Sequence, residues 1–246
     1  MKEMPITSWD ERRDFLIPGS KESSIALATE HFVEQANHAI KTKGSFYVAL
    51  SGGSTPQSIY KSLAEKFKDS VDWTCVHVFW SDERNVPTTH QESNYKTALD
   101  SGLKDLPIPS SQIHPMIMDE PLSEQAKQYE NLVKEIDFDM IMLGMGSDGH
   151  IASLFPDTEG LYEKNRLVVA NYIPQKKCWR MSFTLPMIHK SKSIVLYVMG
   201  PDKQEAILDV FKNTDSILPA FKVGQNTNKA LWIMDEEASY LLTQIG

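Results

Sequence analysis

Cysteine is almost missing from this chain. Cys75 and Cys178 are the only two among 246 residues, and they form no C-x-x-C pair. That count and spacing exclude a disulfide framework and a compact zinc site. Cys75 falls in a strand-like run and reads as a small core residue, and Cys178 beside Trp179 has the same ordinary reading. Long apolar runs are missing too: no stretch approaches the roughly 18 residues that a membrane-spanning helix needs. Met1 to Arg13 carries mixed charges and no apolar core of signal-peptide length. The expectation is a cytoplasmic protein with no membrane partner. Basic charge is also short, with 25 Lys and Arg against 33 Asp and Glu, a net charge of −8. Binding to a phosphate backbone needs a basic surface, so nucleic acid is excluded as a partner. A small anionic substrate is not, because a few local cations overrule the global field.

Several catalytic signatures are absent as well. There is no G-x-S-x-G elbow, which argues against a serine hydrolase of the α/β-hydrolase type. No H-E-x-x-H or other compact ligand set is present, so no metal is expected. Hydrolysis in such a chain would be metal-independent and driven by a general base.

What is present fits an ordinary folded protein. Hydrophobic residues make up 41% and charged residues 24%, enough for a full core. No repeat, low-complexity segment or linker interrupts the sequence, so one domain spanning 1–246 is expected. Ser20 to Lys43 places Ile25, Ala28, Phe32, Ala36, Ala39 and Ile40 on one helical stripe, with Gly44 to stop it. Phe46 to Leu50 reads as a strand, Ser51 to Thr55 as a turn, and Pro56 suits the first turn of a helix to about Phe67. Cys75 to Trp80, Phe138 to Leu143, Ile194 to Met199 and Ala230 to Met234 read as further strands. Helical segments are expected at Leu122 to Ile136 and from Lys203 to about Phe211, with Asp235 able to cap a closing helix. Alternating strands and helices predict an α/β fold, a Rossmann-like, mostly parallel twisted sheet with helices on both faces.

In such a sheet the strands at Leu50, Trp80, Leu143 and Met199 all end on one edge, where open α/β folds build their sites. The residues with chemistry fall in the loops that follow. Ser51, Gly52, Gly53, Ser54 and Thr55 offer bare N–H groups, three hydroxyls and a helix N-terminus, which suits phosphate. It is no P-loop, since no G-K-[ST] follows. The plainer alternative is a tight turn capping a helix. Asp82, Glu83 and Arg84, with His90 further on, pack opposite charges at a strand end. A salt-bridged surface loop accounts for Glu83, whereas the Arg84 guanidinium matches an oxyanion bidentately.

Gly144, Gly146 and Gly149 fit G-x-G-x-x-G letter for letter. A dinucleotide site would also need a long helix and an acid about 20 residues on. Pro156 closes any helix within two turns, and Leu167 to Ala170 is followed by Asn171. The segment reads instead as a proton-transfer loop. His150 is the side chain best suited to proton transfer near neutral pH, and Asp148, two residues away, could orient its ring. Arg180 and Lys203 are further cations able to reach the same edge. Each taken singly is a solvated surface charge; taken with the glycine loop they point to a phosphorylated substrate.

Ala49 to Pro56, Trp80 to Pro87 with His90 and Ser93-Asn94-Tyr95, and Gly144 to Pro156 together resemble the 6-phosphogluconolactonases. Arg180 to Pro186, Gly200 to Lys203 and Leu218-Pro219-Ala220 follow in that family's order, so the resemblance spans most of the chain. The glucosamine-6-phosphate deaminases are similar in the glycine loop and the Asp-Gly-His turn. They carry tyrosine where this chain has Arg84, and continue Phe-Asn-Glu-Pro where it has Ser153-Leu154-Phe155-Pro156. The resemblance implies a Rossmann-like sheet, no cofactor, a phosphorylated sugar lactone as the small-molecule partner, and a place in the oxidative pentose phosphate pathway. It implies that His150 is the base, that Asp148 orients or polarises it, and that Ser51 to Thr55, Asp82, Arg180 and Lys203 hold substrate and phosphate. Arg84 serves either the phosphate or the carbonyl. Two other readings stand beside it: a deaminase or isomerase with Asp82 as its base, and a non-catalytic sugar-phosphate sensor. The oligomeric expectation is a monomer or small homo-oligomer.

Overall fold

The computed structural model describes residues 5–119 and 121–244. Residues 1–4, part of the leaderless reading of Met1 to Arg13, and the outermost ends of the 1–246 span lie outside the described residues. The chain runs β1 (Thr7–Ser8), β2 (Arg13–Leu16), α1 (Lys21–Lys43), β3 (Phe46–Leu50), α2 (Ser54–Lys66), β4 (Val76–Trp80), β5 (Asp82–Arg84), α3 (Asn94–Asp100), β6 (Ile113–His114), α4 (Leu122–Val133), β7 (Met140–Gly144), β8 (Val168–Ile173), β9 (Cys178–Phe183), α5 (Leu185–Lys190), β10 (Ile194–Val198), α6 (Gln204–Lys212), β11 (Ala230–Met234) and α7 (Tyr240–Gln244). Eight strands form one sheet in the order β1-β2-β11-β10-β7-β3-β4-β6. Every pairing in it is parallel except β1 with β2.

The central strands are apolar throughout for a physical reason. All five residues of β10 are buried, as are the first four of β7, because helices cover both faces of a parallel sheet and neither face can be polar. Trp73, Trp80, Trp232, Phe138 and Phe183 are fully enclosed in that core. α1 begins where its cap residue dictates: Ser20 Oγ accepts the Ser23 N–H at 3.3 Å, satisfying one of the first-turn donors that a helix leaves unpaired. α4 stops at Val133, three residues before the expected Ile136. Asp235 Oδ1 accepts the Ala238 N–H at 2.8 Å, and so caps the turn that leads into α7 rather than the helix itself.

The structure adds a second sheet, three antiparallel strands in the order β5-β9-β8. Asp82 to Arg84, read above as loop, is its edge strand. Three charged residues carry no apolar alternation, and their partner strand lies almost a hundred positions on, so nothing local announces the pairing. β8 enters this sheet held by α4. Glu130 accepts the N–H groups of Leu167 and Val168 and pairs with Arg166. Between Met145 and Thr158 there is no helix, only turns and isolated bridges, as Pro156 requires. Cys75 is not a core residue: it is half-buried at the end of a 3₁₀ turn, with its thiol against Asp72 at 3.6 Å.

Glu130→Ala removes the acceptor for two strand-entry donors. The expected loss is about 1–3 kcal/mol of unfolding free energy, measured by urea denaturation, with secondary structure retained; a loss within error would show that water replaces the carboxylate.

Candidate active site

Four parallel strands deliver the site's loops to one edge. After β3, the chain turns at Ser51–Gly53 and enters α2. The Tyr60 hydroxyl donates to the Ser51 carbonyl at 2.7 Å and accepts the Ser51 N–H at 3.2 Å, which fixes the base of the loop. Gly52 has no room for a side chain: a Cβ there would lie 2.0 Å from Asn94 Oδ1. The N–H groups of the first α2 turn have no partner inside their own helix, and the helix dipole favours an anion at that end.

After β7, the glycine turn brings acid and histidine together. His150 Nδ1 lies 2.5 Å from Asp148 Oδ1, which also accepts the His150 backbone N–H at 3.2 Å. The imidazole stacks on Phe155, with centroids 3.9 Å apart and an 11° interplanar angle. Gly146 makes the pair possible, since a Cβ there would sit 2.1 Å from His150 Nδ1 and 2.5 Å from Asp148 Oδ1. Burial pushes the Asp148 carboxyl up, but the His150 hydrogen bond and charge outweigh it, so its pKa falls below the usual 3.8. An ionised Asp148 puts the proton on Nδ1 and leaves the lone pair on Nε2, which has no hydrogen-bond partner among the described residues.

After β4 comes the charged segment. Glu83 is 1% exposed and forms no ion pair among the described residues, which corrects the surface-loop reading. Its carboxylate accepts the N–H groups of Arg84, Asn94 and Tyr95 and the Ser93 hydroxyl, at 2.7–3.0 Å. Burial pushes its pKa up despite those donors. Glu83 thereby ties the start of α3 to β5. Arg84 donates through Nη1 to the Glu92 carbonyl at 2.9 Å. Arg84 and Arg180 face each other in the β5–β9 register, and each has a buried Nε with no partner. The Arg180 guanidinium lies over the Phe155 ring at 5.6 Å. His90 is exposed and does not reach this site.

After β10, a 3₁₀ turn carries Lys203, which pairs with Asp202 at 2.9 Å. These loops enclose a cleft of about 490 Å³. Ser51, Gly52, Gly53, Ser54, Thr55, Asp82, Arg84, His150, Arg180 and Lys203 all line it. Asp148 does not: its side chain is half exposed and bonds His150 from outside the lining. The lining also includes Lys21, Tyr197 and Glu237, which the sequence reading missed. Lys21 and Glu237 follow the carboxyl ends of β2 and β11. β2 has four residues, too few for a readable alternation, and Glu237 sits past the residue taken as a helix cap. Lys21, Arg84, Arg180 and Lys203 give the cleft four cations in a chain of net charge −8. Among the described residues no group of three His, Cys, Asp or Glu side chains could hold a metal ion, and no helix is long and apolar enough to cross a membrane.

Comparison with known proteins gives a consistent set of matches. The model of a family described as glucosamine-6-phosphate isomerases/6-phosphogluconolactonase matches residues 19–232. A protein of Chlamydia pneumoniae named 6-phosphogluconolactonase is 39% identical over 95% of this chain and 92% of its own length. A second, named 6-phosphogluconolactonase 3, chloroplastic, from Arabidopsis thaliana, is 34% identical over 94% of this chain and 75% of its own. The crystal structure of a 6-phosphogluconolactonase from Thermotoga maritima superposes with a TM-score of 0.78 at 26% identity, covering 91% of this chain and 99% of that one.

The geometry makes two predictions. Gly146→Ala forces His150 and Asp148 apart in a folded protein, so turnover should fall about 10²-fold with circular dichroism unchanged; wild-type turnover would show that the turn relaxes around the methyl group. Asp148 has a depressed folded-state pKa, so it stabilises the fold above its unfolded value, and that contribution vanishes as pH falls through the folded one. Chemical denaturation of wild type and Asp148→Asn should therefore differ at pH 7 and converge below pH 3.8.

Proposed function

The chain belongs to the glucosamine-6-phosphate isomerase/6-phosphogluconolactonase family, and on that premise we propose that it is a 6-phosphogluconolactonase, hydrolysing 6-phospho-D-glucono-1,5-lactone to 6-phospho-D-gluconate. One observation carries this reading: a carboxylate-backed histidine opens onto a cleft that also holds four cations and an anion-binding loop.

The chemistry needs protein groups alone. His150 Nε2 takes a proton from water as the water oxygen attacks the lactone carbonyl carbon. Asp148 holds Nδ1–H and stabilises the imidazolium that forms, as the buried carboxylate does in a catalytic triad. Negative charge gathers on the carbonyl oxygen of the tetrahedral intermediate, where guanidinium and backbone N–H donors stabilise it. Collapse breaks the bond to the ring oxygen, and the imidazolium returns the proton to that leaving oxygen. The phosphate seats on the Ser51–Thr55 loop at the α2 N-terminus, with Arg180 and Lys203 adding positive charge. Arg84 completes the cationic wall on the β5 side.

The deaminase or isomerase reading needs a carboxylate free to remove a carbon-bound proton. Asp82 is the candidate, and each of its carboxylate oxygens already holds a donor from the protein. That counts against it.

The test is hydrolysis of freshly generated lactone, with 6-phosphogluconate followed through its NADP-dependent dehydrogenase. The rate should exceed the spontaneous background in proportion to protein and survive EDTA; a rate equal to background sinks the reading. His150→Ala should cut turnover about 10²–10⁴-fold with substrate affinity kept. Arg84→Ala should raise KM if the guanidinium holds phosphate and lower kcat if it faces the carbonyl. No change in either constant would remove Arg84 from the site.

A further inference from the structure

The turn that carries His150 is fastened to all three strands of the small sheet at Ser153. Ser153 lies three positions after the histidine and is fully buried. Its hydroxyl donates to Asp82 Oδ2 on β5 at 2.7 Å. Its N–H donates to Ser182 Oγ on β9 at 3.1 Å. Its carbonyl accepts Asn171 Nδ2 on β8 at 2.9 Å. All three polar groups of Ser153 are therefore bound, and between them they reach every strand of the sheet that carries Arg84 and Arg180; Arg180 Nη1 also donates to the Ser153 hydroxyl at 3.5 Å. Asp82 is bound on its other side as well: Asn94 Nδ2 donates to Oδ1 at 3.1 Å and to the Asp82 carbonyl at 3.0 Å, while Asn94 Oδ1 packs against Gly52. Ala152, between histidine and serine, has φ of 45°. A non-glycine residue in the left-handed region is strained and persists only where its neighbours hold it. Phe155, on which the imidazole stacks, lies two residues after Ser153.

We propose that Ser153 and Asp82 are positioning residues for His150: the Ser153–Asp82 hydrogen bond fixes the strained turn against the small sheet and sets the imidazole's place relative to the arginines and the glycine loop. Asp82 acts through Ser153 and Asn94 and not by touching substrate. A carboxylate suits this task because it accepts from both neighbours at once. An asparagine would present an amide donor to one of them.

The kinetic test rests on the lactonase reading, so it is paired with one that does not. Ser153→Ala deletes the hydroxyl and keeps both backbone bonds. At temperatures below the variant's thermal midpoint, kcat should fall about 10–100-fold while KM stays within about threefold of wild type. Asp82→Asn should show the same split, and the double variant should lose no more than the worse single one, because both break one link. Independently of turnover, long-range ¹H–¹⁵N spectra of the unliganded protein should show the His150 ring signals displaced in Ser153→Ala. Wild-type kcat with undisplaced His150 signals overturns the proposal. So does a rise in KM alone for Asp82→Asn, which would make that carboxylate a substrate contact, and so do effects that multiply in the double variant. If wild type itself turns over no lactone, the lactonase reading fails and the ring signals alone decide the positioning role. If Ser153→Ala does not fold, Asp82→Asn puts the same question from the other end of the bond.

Discussion

The site depends on the direction of the central strands. β2, β11, β10, β7, β3 and β4 run parallel, so six carboxyl ends meet along one edge of the sheet. Peptide groups at that edge point unpaired polar atoms outward, and helices that begin there present N–H groups and positive dipole ends. A chain folded this way gathers donors at one edge whatever its overall charge. In a protein with an excess of eight acidic groups, four Lys and Arg side chains add their charge to those backbone donors in the cleft. Many of its carboxylates serve elsewhere as internal acceptors: Glu83 at the start of α3, Glu130 at the entry of β8, Asp235 under Gly200.

Much of this edge was legible in the sequence, and the limits of legibility were physical. β3, β4, β7, β10 and β11 are buried strands, so each is written as an apolar run whose end is marked by glycine or a charged residue. The cleft residues after β3, β4, β7 and β10 followed from that alone. Lys21 was hidden because β2 is four residues long and its first residue is a buried arginine, which carries no strand signal. The small sheet was hidden for a different reason. β5 is made of Asp82, Glu83 and Arg84, and its order comes from contacts with Ser182, Met181 and Arg180 far along the chain. Ser153 could be named from sequence only as a point of difference from a neighbouring family; its three hydrogen bonds exist only once both sheets are in place. Glu83 looked like a surface charge because charged triplets usually are. Its burial follows from four donors converging on it, which no window of sequence displays.

The two sheets divide the work unequally. The parallel sheet places the anion loop and the histidine on adjacent strands, β3 and β7, whose separation is set by backbone hydrogen bonding and cannot drift. The small sheet brings Arg84 and Arg180 over the same cleft; it is joined to the parallel sheet through the Ser81 backbone, which donates to Leu50 and accepts from Phe183, and is further held by the side chains of Glu130, Ser153, Asn171 and Asp82. The Tyr60 hydroxyl and the first-turn groups of α2 are therefore fixed by local geometry, whereas the relation of histidine to arginine is fixed by a few buried polar bonds. Buried polar bonds carry large penalties when broken singly, which makes this joint stiff as long as every member is satisfied.

The strand order also fixes a length scale that the substrate must match. β3, β7 and β10 are neighbours, and paired strands lie about 4.8 Å apart. The glycine loop and the Lys203 turn thus follow strands two widths apart, roughly 10 Å in the sheet, and the His150 turn follows the strand between them. A six-carbon lactone phosphorylated at the end opposite its carbonyl has that proportion: its anionic tail is separated from the reacting carbon by the width of one sugar ring. On the proposed lactonase reading, that strand order lets a flanking loop take the phosphate while the histidine turn beside it meets the acyl carbon.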